Sequence, residues 1–415
     1  MNGLRIAWRN LGRNKRRTLL GIGAIAVGQF MLVFVNGMIE GWWDMMLDTI
    51  TGPMAGHVTL HHPGLQSERA VDLTIGHLGD VRTAIRSLPA VRPVAPRLSA
   101  AALAAPGAAS DRPAAAEPAM IVGLDPTVET RPSGLLAGLP ASQRPGRKGV
   151  VLGAILASRL GLEAGDSLAL IGQDADGFPA NDLFTVRAVR GSNVDQVRRL
   201  GVLMSLSDAA GFLHLPDRAH EIVVLGDDPR HADSLAAAIA ALPVLRGVEV
   251  QTWRQAVPEL AGILDMRGRF GLIFLLIVFV AAAAGIANTA TMSAFERTHE
   301  FGMLLAIGMR PARIVRMVLV ESILIGLMGV AAGSLAGGLA VGITSHTGID
   351  YAALANTPAD GYVFGGLNIS YVVYPRLVPR FIAMGIAGAA LTCILASLWP
   401  ALLAARLQPV EAMRT

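Results

Sequence analysis

Residues Phe270 to Ala294 form an unbroken run of about 25 uncharged, mostly apolar residues, and this run sets the terms for the rest of the chain. As a helix rising 1.5 Å per residue it reaches roughly 37 Å, enough to cross a hydrocarbon core of about 30 Å. It empties into FERTHEFGMLLAIGMRPARI, where Phe301, Leu304, Leu305 and Gly308 fall at i, i+3, i+4 and i+7 ahead of a Gly-x-x-Pro stop. A second apolar run restarts at once. The spacing predicts a short helix at the membrane surface between two spans.

Read along the whole chain, the same criterion gives four spans, at 18–39, 270–292, 314–342 and 380–403. The 53% apolar content and mean hydropathy of +0.50 place the protein among integral membrane proteins. Arg5, Arg9, Arg13, Lys15, Arg16 and Arg17 precede the first span with no acid among them, and Arg297, Arg310, Arg313 and Arg316 surround the short loop. By the positive-inside rule both regions are expected in the cytoplasm, with both termini inside. The basic balance thus reports topology, and nucleic acid is not an expected partner. Leu4, Ala7, Trp8 and Leu11 share one helical face, so 1–17 reads as a cytoplasmic interfacial helix. The first apolar run is too long for a signal peptide and lacks a small-x-small site, which favours an uncleaved anchor.

The fold class expected is a membrane protein of four transmembrane helices with one large extracytoplasmic α+β domain, 40–269, between the first two. The remaining segments are 293–313 as the cytoplasmic surface helix, 343–379 as an external loop and 404–415 as a cytoplasmic tail. Short strands and helices intermix in the domain. Ser99 to Pro118, rich in Ala and Pro, reads in part as a loop. The one cysteine, Cys393, lies in the fourth span, so the domain is built without disulfides.

Catalytic and metal motifs are not found. His57, His61 and His62 fit a strand end at Pro63 better than a ligand set, and Asp174, Asp176 and Asp182 lack the closing Glu of a calcium loop. No GxSxG, HExxH or GxxxxGK[ST] occurs, so the chain carries no ATP-hydrolysing loop of its own. It reads as non-catalytic. Other residues carry packing and polar signals: Gly329, Gly333 and Gly337 recur every four residues as a close-packing face. Gly385, Ala389, Cys393 and Ser397 form a matching stripe, and contact between the two faces or with a second chain both fit. Gln29 and Asn36 are the strongly polar side chains of the first span, fitting either a substrate path or hydrogen bonds between helices. Glu321, in the third span, is expected to face protein or interfacial water.

Four stretches resemble the FtsX-like permease family, the membrane subunits of ABC systems that include MacB, the lipoprotein-releasing LolC and LolE proteins, and FtsX. They are AWRNLGRNKRRTLL, GVVLGAILASRLGLEAGDSLAL, ERTHEFGMLLAIGMRPARIVRMVLVESILIGLMG and LWPALLAARLQPVEAMR. Unlike fused members such as MacB, the chain has no nucleotide-binding domain. The resemblance implies a separate cytoplasmic ABC ATPase subunit carrying ATP and Mg, no cofactor on this chain, and a second permease chain in a homo- or heterodimer. It implies a bacterial inner membrane setting, contact with membrane lipids, and a periplasmic carrier or adaptor. Glu296 to Gly308 would be the coupling helix, with Phe301, Leu304, Leu305 and Ile307 packing in the ATPase cleft and Glu296, Arg297 and Glu300 setting register. Gly308 and Arg310 would shape the corner before Pro311. The function implied is extraction of a lipidated or amphipathic substrate such as a lipoprotein; mechanical control of a periplasmic partner and tripartite efflux remain open beside it.

Overall fold

The computed structural model describes residues 15–68, 70–107, 116–258, 295–356, 362–364 and 366–405, with 261–262, 276–277, 279–280, 283–284, 287 and 291–292 between them. Nearly all of the interfacial helix expected over 1–17 and of the tail over 404–415, and most of the span over 270–292, lie outside the described residues. Two compact units emerge. One holds Asp44–Asp265 and Ala355–Tyr371, the other Met1–Trp43, Met266–Leu354 and Val372–Thr415.

The first helix, α1 (Lys15–Ile50), runs for 36 residues, about 54 Å. It does not stop at residue 39. Glu40, Asp44 and Asp48 interrupt the apolar run, but an acid ends a span's hydropathy without ending its helix. The helix is extended by a π-turn, Thr51–Ala55, which accommodates Pro53, a residue that cannot donate to the ladder. Two arginines hold the carbonyls left over there. Arg97 Nη1 donates to Pro53 O at 2.6 Å and Met54 O at 3.2 Å, and Arg131 Nη2 donates to Gly52 O at 2.7 Å. Glu129, fully buried, accepts from Arg97 Nε and Nη2 at 2.9 and 2.6 Å and from the Leu135 amide at 3.0 Å. Cations at a helix C-terminus satisfy orphan carbonyls and complement the helix dipole.

In the α+β unit the elements follow as β1 (Val58–His61), α2 (Leu78–Arg86), β2 (Val91–Pro106), β3 (Glu117–Leu124), β4 (Gly149–Gly153), α3 (Ala154–Leu160), β5 (Ser167–Gln173), β6 (Pro179–Arg190), α4 (Asp195–Leu200), β7 (Gly201–Ser205), α5 (Leu206–Phe212), β8 (Glu221–Gly226), α6 (Ala232–Ala240) and β9 (Glu249–Thr252). The strands lie in the order β3-β7-β4-β6-β5-β2-β8-β1-β9, and a further pairing of β2 with β3 closes the first six on themselves. The barrel interior is filled by Leu98, Ile121, Leu152, Leu170, Phe184 and Met204. A second core, with Leu60, Val94 and Val224, packs the β8-β1-β9 wing against Ile85 of α2 and Ile239 of α6.

β2 takes in Ser99–Pro106, the first part of the stretch expected in part to be a loop, while residues 108–115 of that stretch lie outside the described residues. Its 16 residues pair with β8 through Val91–Arg97, with β3 through Arg97–Ala104 and with β5 through Ala102–Pro106. Alanine and proline disfavour strands locally, but three partners outweigh propensity, and a register shift between Val91 and Val94 spans Pro93.

The other unit contains α7 (Thr298–Ala306), α8 (Pro311–Thr347) and α9 (Pro379–Ala405). Among the described residues three helices are long and apolar enough to cross a membrane: α1 with its extension, α8, and α9. The glycine face of α8 turns toward α1. A Cβ added at Gly329 would lie 2.7 Å from Ile25 Cβ, at Gly333 2.7 Å from Gln29 Cβ, and at Gly337 3.0 Å from Val33 Cβ. Of the small stripe on α9, Gly385 also abuts Gln29, while Cys393 meets Gly326 of α8.

Candidate functional site

The segment between residues 295 and 311 folds as the short helix α7 with a sharp corner. After Ala306 the chain turns through Gly308 at φ +92°, where the Gly308 amide donates to Leu305 O and the Met309 amide to Leu304 O, each at 3.0 Å. Only glycine enters this region without strain. Pro311 then occupies the first turn of α8, where its missing N–H removes nothing.

The inner face of α7 is committed to the chain's own core. Phe301 is 1% exposed and packs with Ile314 and Val318 of α8 and Ala401 of α9, with Leu304 and Leu305 partly buried against them. Phe301, expected to pack in a partner's cleft, is packed here within the chain. The ion pairs expected to set register with a partner also have partners within the chain. Arg297 Nε donates to Glu300 Oε2 at 3.1 Å, Arg297 Nη1 donates to Glu321 Oε2 at 2.8 Å, and the guanidinium lies 5.0 Å from the Phe301 ring centroid. Low dielectric around these half-buried groups favours pairing within the chain over waiting for a partner. Glu296 is exposed at the start of the segment, and Arg310 is exposed as the residue before Pro311.

What α7 offers outward is Met303, 45% exposed, and Ile307, 79% exposed, with Ala306 and Gly308 beside them. Met303 and Ile307 stand at i and i+4, one helical face. Sequence reasoning missed Met303 because it followed the more apolar stripe, which is the one that belongs to the core. The signal available was the second i, i+4 pair.

The polar residues of α1 are engaged between and within helices. Gln29, buried, donates from Nε2 to Ser334 Oγ of α8 at 3.0 Å, and Asn36 Nδ2 donates to Leu32 O at 2.8 Å. Gln29 thus ties α1 to α8 through a hydrogen bond between helices. In the α+β unit, Asp174 is buried where a solvated loop was expected. Its carboxylate accepts from the amides of Asp176 at 3.0 Å and Phe178 at 2.8 Å and contacts His214 Nδ1 at 2.7 Å, so it shapes the turn.

Two family descriptions match this chain: the MacB-like periplasmic core domain over residues 18–242 and the FtsX-like permease C-terminal domain over residues 272–409. The chain belongs to the FtsX-like, MacB-related family of ABC transporter permeases. Among curated relatives, it is 25% identical over 316 residues to the lipoprotein-releasing system transmembrane protein LolC of Xylella fastidiosa (strain Temecula1), covering 72% of this chain and 73% of that one. To LolC of Neisseria meningitidis serogroup B it is 24% identical over 283 residues, 65% and 66% of the two chains. A macrolide export ATP-binding/permease protein MacB of Chlorobium luteolum is 38% identical over 130 residues, 31% of this chain and 16% of that one.

Proposed function

We propose that this chain is the transmembrane subunit of an inner-membrane ABC system that works with a separate ATPase and a second permease chain to extract a lipidated substrate, such as a lipoprotein. One observation carries the coupling role. Met303 and Ile307 project from a helix whose opposite face, through Phe301, is packed on α8 and α9. An exposed apolar tip on a rigid base suits a lever, because force applied at the tip moves the spans behind it. The ATPase supplies a cleft for that tip, and ATP and Mg stay on that subunit. The two LolC relatives favour lipoprotein release; the MacB-like core domain keeps efflux of a small amphiphile as the second reading.

Ile307→Asp tests the coupling role, since it would bury a charge without a partner in the cleft. The purified ATPase subunit should no longer co-purify with the variant, while the variant alone should unfold at the temperature of the parent. Undiminished ATPase binding and turnover in nanodiscs would remove the coupling role. Substrate class is read separately, by whether turnover in nanodiscs rises with a triacylated lipoprotein or with a macrolide.

A further inference from the structure

The loop between α8 and α9 is held at two places, and the two holds differ in strength. At its near end, residues 374–376 lie across α1 where Gly37 and Gly41 leave room: a Cβ at Gly37 would sit 3.1 Å from Arg376 O, and one at Gly41 3.0 Å from Pro375 Cα. The Arg376 amide donates to Gly37 O at 2.9 Å, and Arg380 pairs with Glu40, whose side chain is 5% exposed. This end is clasped. At its far end the loop folds into a hairpin, β10 (Tyr362–Phe364) and β11 (Leu367–Ile369), which belongs to the α+β unit.

The hairpin docks at the N-terminus of α4. Leu367 faces Val194 in an antiparallel bridge, the Asp195 amide donates to Gly366 O at 2.9 Å and the Asn368 amide to Asn193 O at 2.5 Å. Leu367 and Ile369 are each 1% exposed. Against these gains stands Asn368 Oδ1, buried with no partner among the described residues. Two backbone bonds and two aliphatic side chains, offset by a desolvated amide oxygen, hold the hairpin, a smaller set of contacts than the ladders that hold the barrel strands.

We propose that this hairpin is a latch: it docks on the start of α4 and releases as the α+β domain moves, while the near end of the same loop stays fixed to α1. Release returns Asn368 Oδ1 to water and frees the Asn193–Asp195 edge. That release accompanies turnover rests on the permease reading above; that the hairpin opens as its own unit does not.

The test uses the full chain in nanodiscs with Cys393→Ala, Val194→Cys and Leu367→Cys. The two positions form a non-hydrogen-bonded antiparallel pair, the closer kind and within disulfide reach. Amide exchange is read first, on the reduced chain without any partner. The Asp195 and Asn368 amides should exchange at least about 100-fold faster than those of Val202 and Leu203 in β7, and oxidation should abolish the difference. Equal protection in the reduced chain would overturn the latch. With the ATPase subunit bound, oxidation should lower substrate-stimulated turnover about tenfold, and dithiothreitol should restore it. Turnover unaffected by oxidation would overturn the link between release and turnover. Failure of the reduced chain to bind the ATPase would count against the permease reading, and the exchange result would still decide the latch.

Discussion

Arg297 and Glu321 join the start of the surface helix to the third turn of α8 across 24 residues of sequence, Nη1 to Oε2 at 2.8 Å. The same guanidinium lies 5.0 Å from the ring centroid of Phe301, so the pair ties α7 to α8 beside the buried side of the helix. Glu321→Gln keeps the shape and leaves Arg297 with Glu300 still beside it, so it should destabilise the membrane unit by about 1–2 kcal/mol, less than the loss of a sole carboxylate partner would. The double change Arg297→Met with Glu321→Met should recover most of that loss. Thermal unfolding in detergent reads both, and a single variant as stable as the parent would show that the pair contributes nothing.

The helix contacts make a sharp comparison between neighbouring glycines. Gly333→Ala places a Cβ against Ala26 O and Gln29 Cβ, whereas one at Gly338 meets nothing within 4 Å. Overpacking should cost the first variant about 1–3 kcal/mol, and helix propensity should leave the second neutral or slightly better. Equal unfolding temperatures for the two would mean that α1 and α8 are not in close contact.

Acid should weaken the α+β domain through buried imidazoles. Burial pushes the pKa of His57 down to about 4, with a smaller opposing effect of Asp228, and its Nδ1 accepts from the Gly226 amide at 2.9 Å. His220 is likewise lowered, chiefly by burial, and is held neutral with Nδ1 accepting from the Ser99 amide and Nε2–H donating to Val71 O. The unfolded chain therefore binds more protons than the folded one below about pH 6.5, and stability is full above that pH and falls toward pH 4. His57 should contribute up to about 1.4 kcal/mol per pH unit in that window, and His220 adds to the loss in the same direction. His57→Asn should reduce the slope between pH 6.5 and 4 in domain-specific unfolding, and an unchanged slope would refute the assignment.

Orientation is open to labelling from outside the cell. In a Cys393→Ala background, Asp176→Cys should react with a membrane-impermeant maleimide in spheroplasts, and His299→Cys should react only after lysis. Labelling of both from one side would invalidate the orientation expected from Arg310 and its neighbouring cations.

Much of the domain was legible because its strands are short continuous runs of Val, Ile, Leu and Met bounded by glycine or polar residues: Gly201–Ser205 and Glu221–Gly226 are readable from local sequence. β2 was not, since its Ala and Pro residues gain strand character only from three neighbours far along the chain. The glycine row on α8 announced close packing, but nothing in its spacing says which helix approaches. Which side of α7 faces inward was hidden for a similar reason. Phe301 and Ile307 are equally apolar on paper, and only the placement of Ile314 and Val318 on α8 and of Ala401, a hundred residues away, makes the first a core residue and the second a surface one.

The exposure of Ile307 also bears on how a cell would count its subunits. Under the coupling role proposed above, a copy of this chain made in excess of an ATPase partner would display a bare aliphatic tip, the kind of signal that chaperones and membrane proteases bind. A copy in complex would have that tip covered. Unassembled chains would then be the short-lived ones, and matched stoichiometry would emerge from differential turnover without any need for matched synthesis.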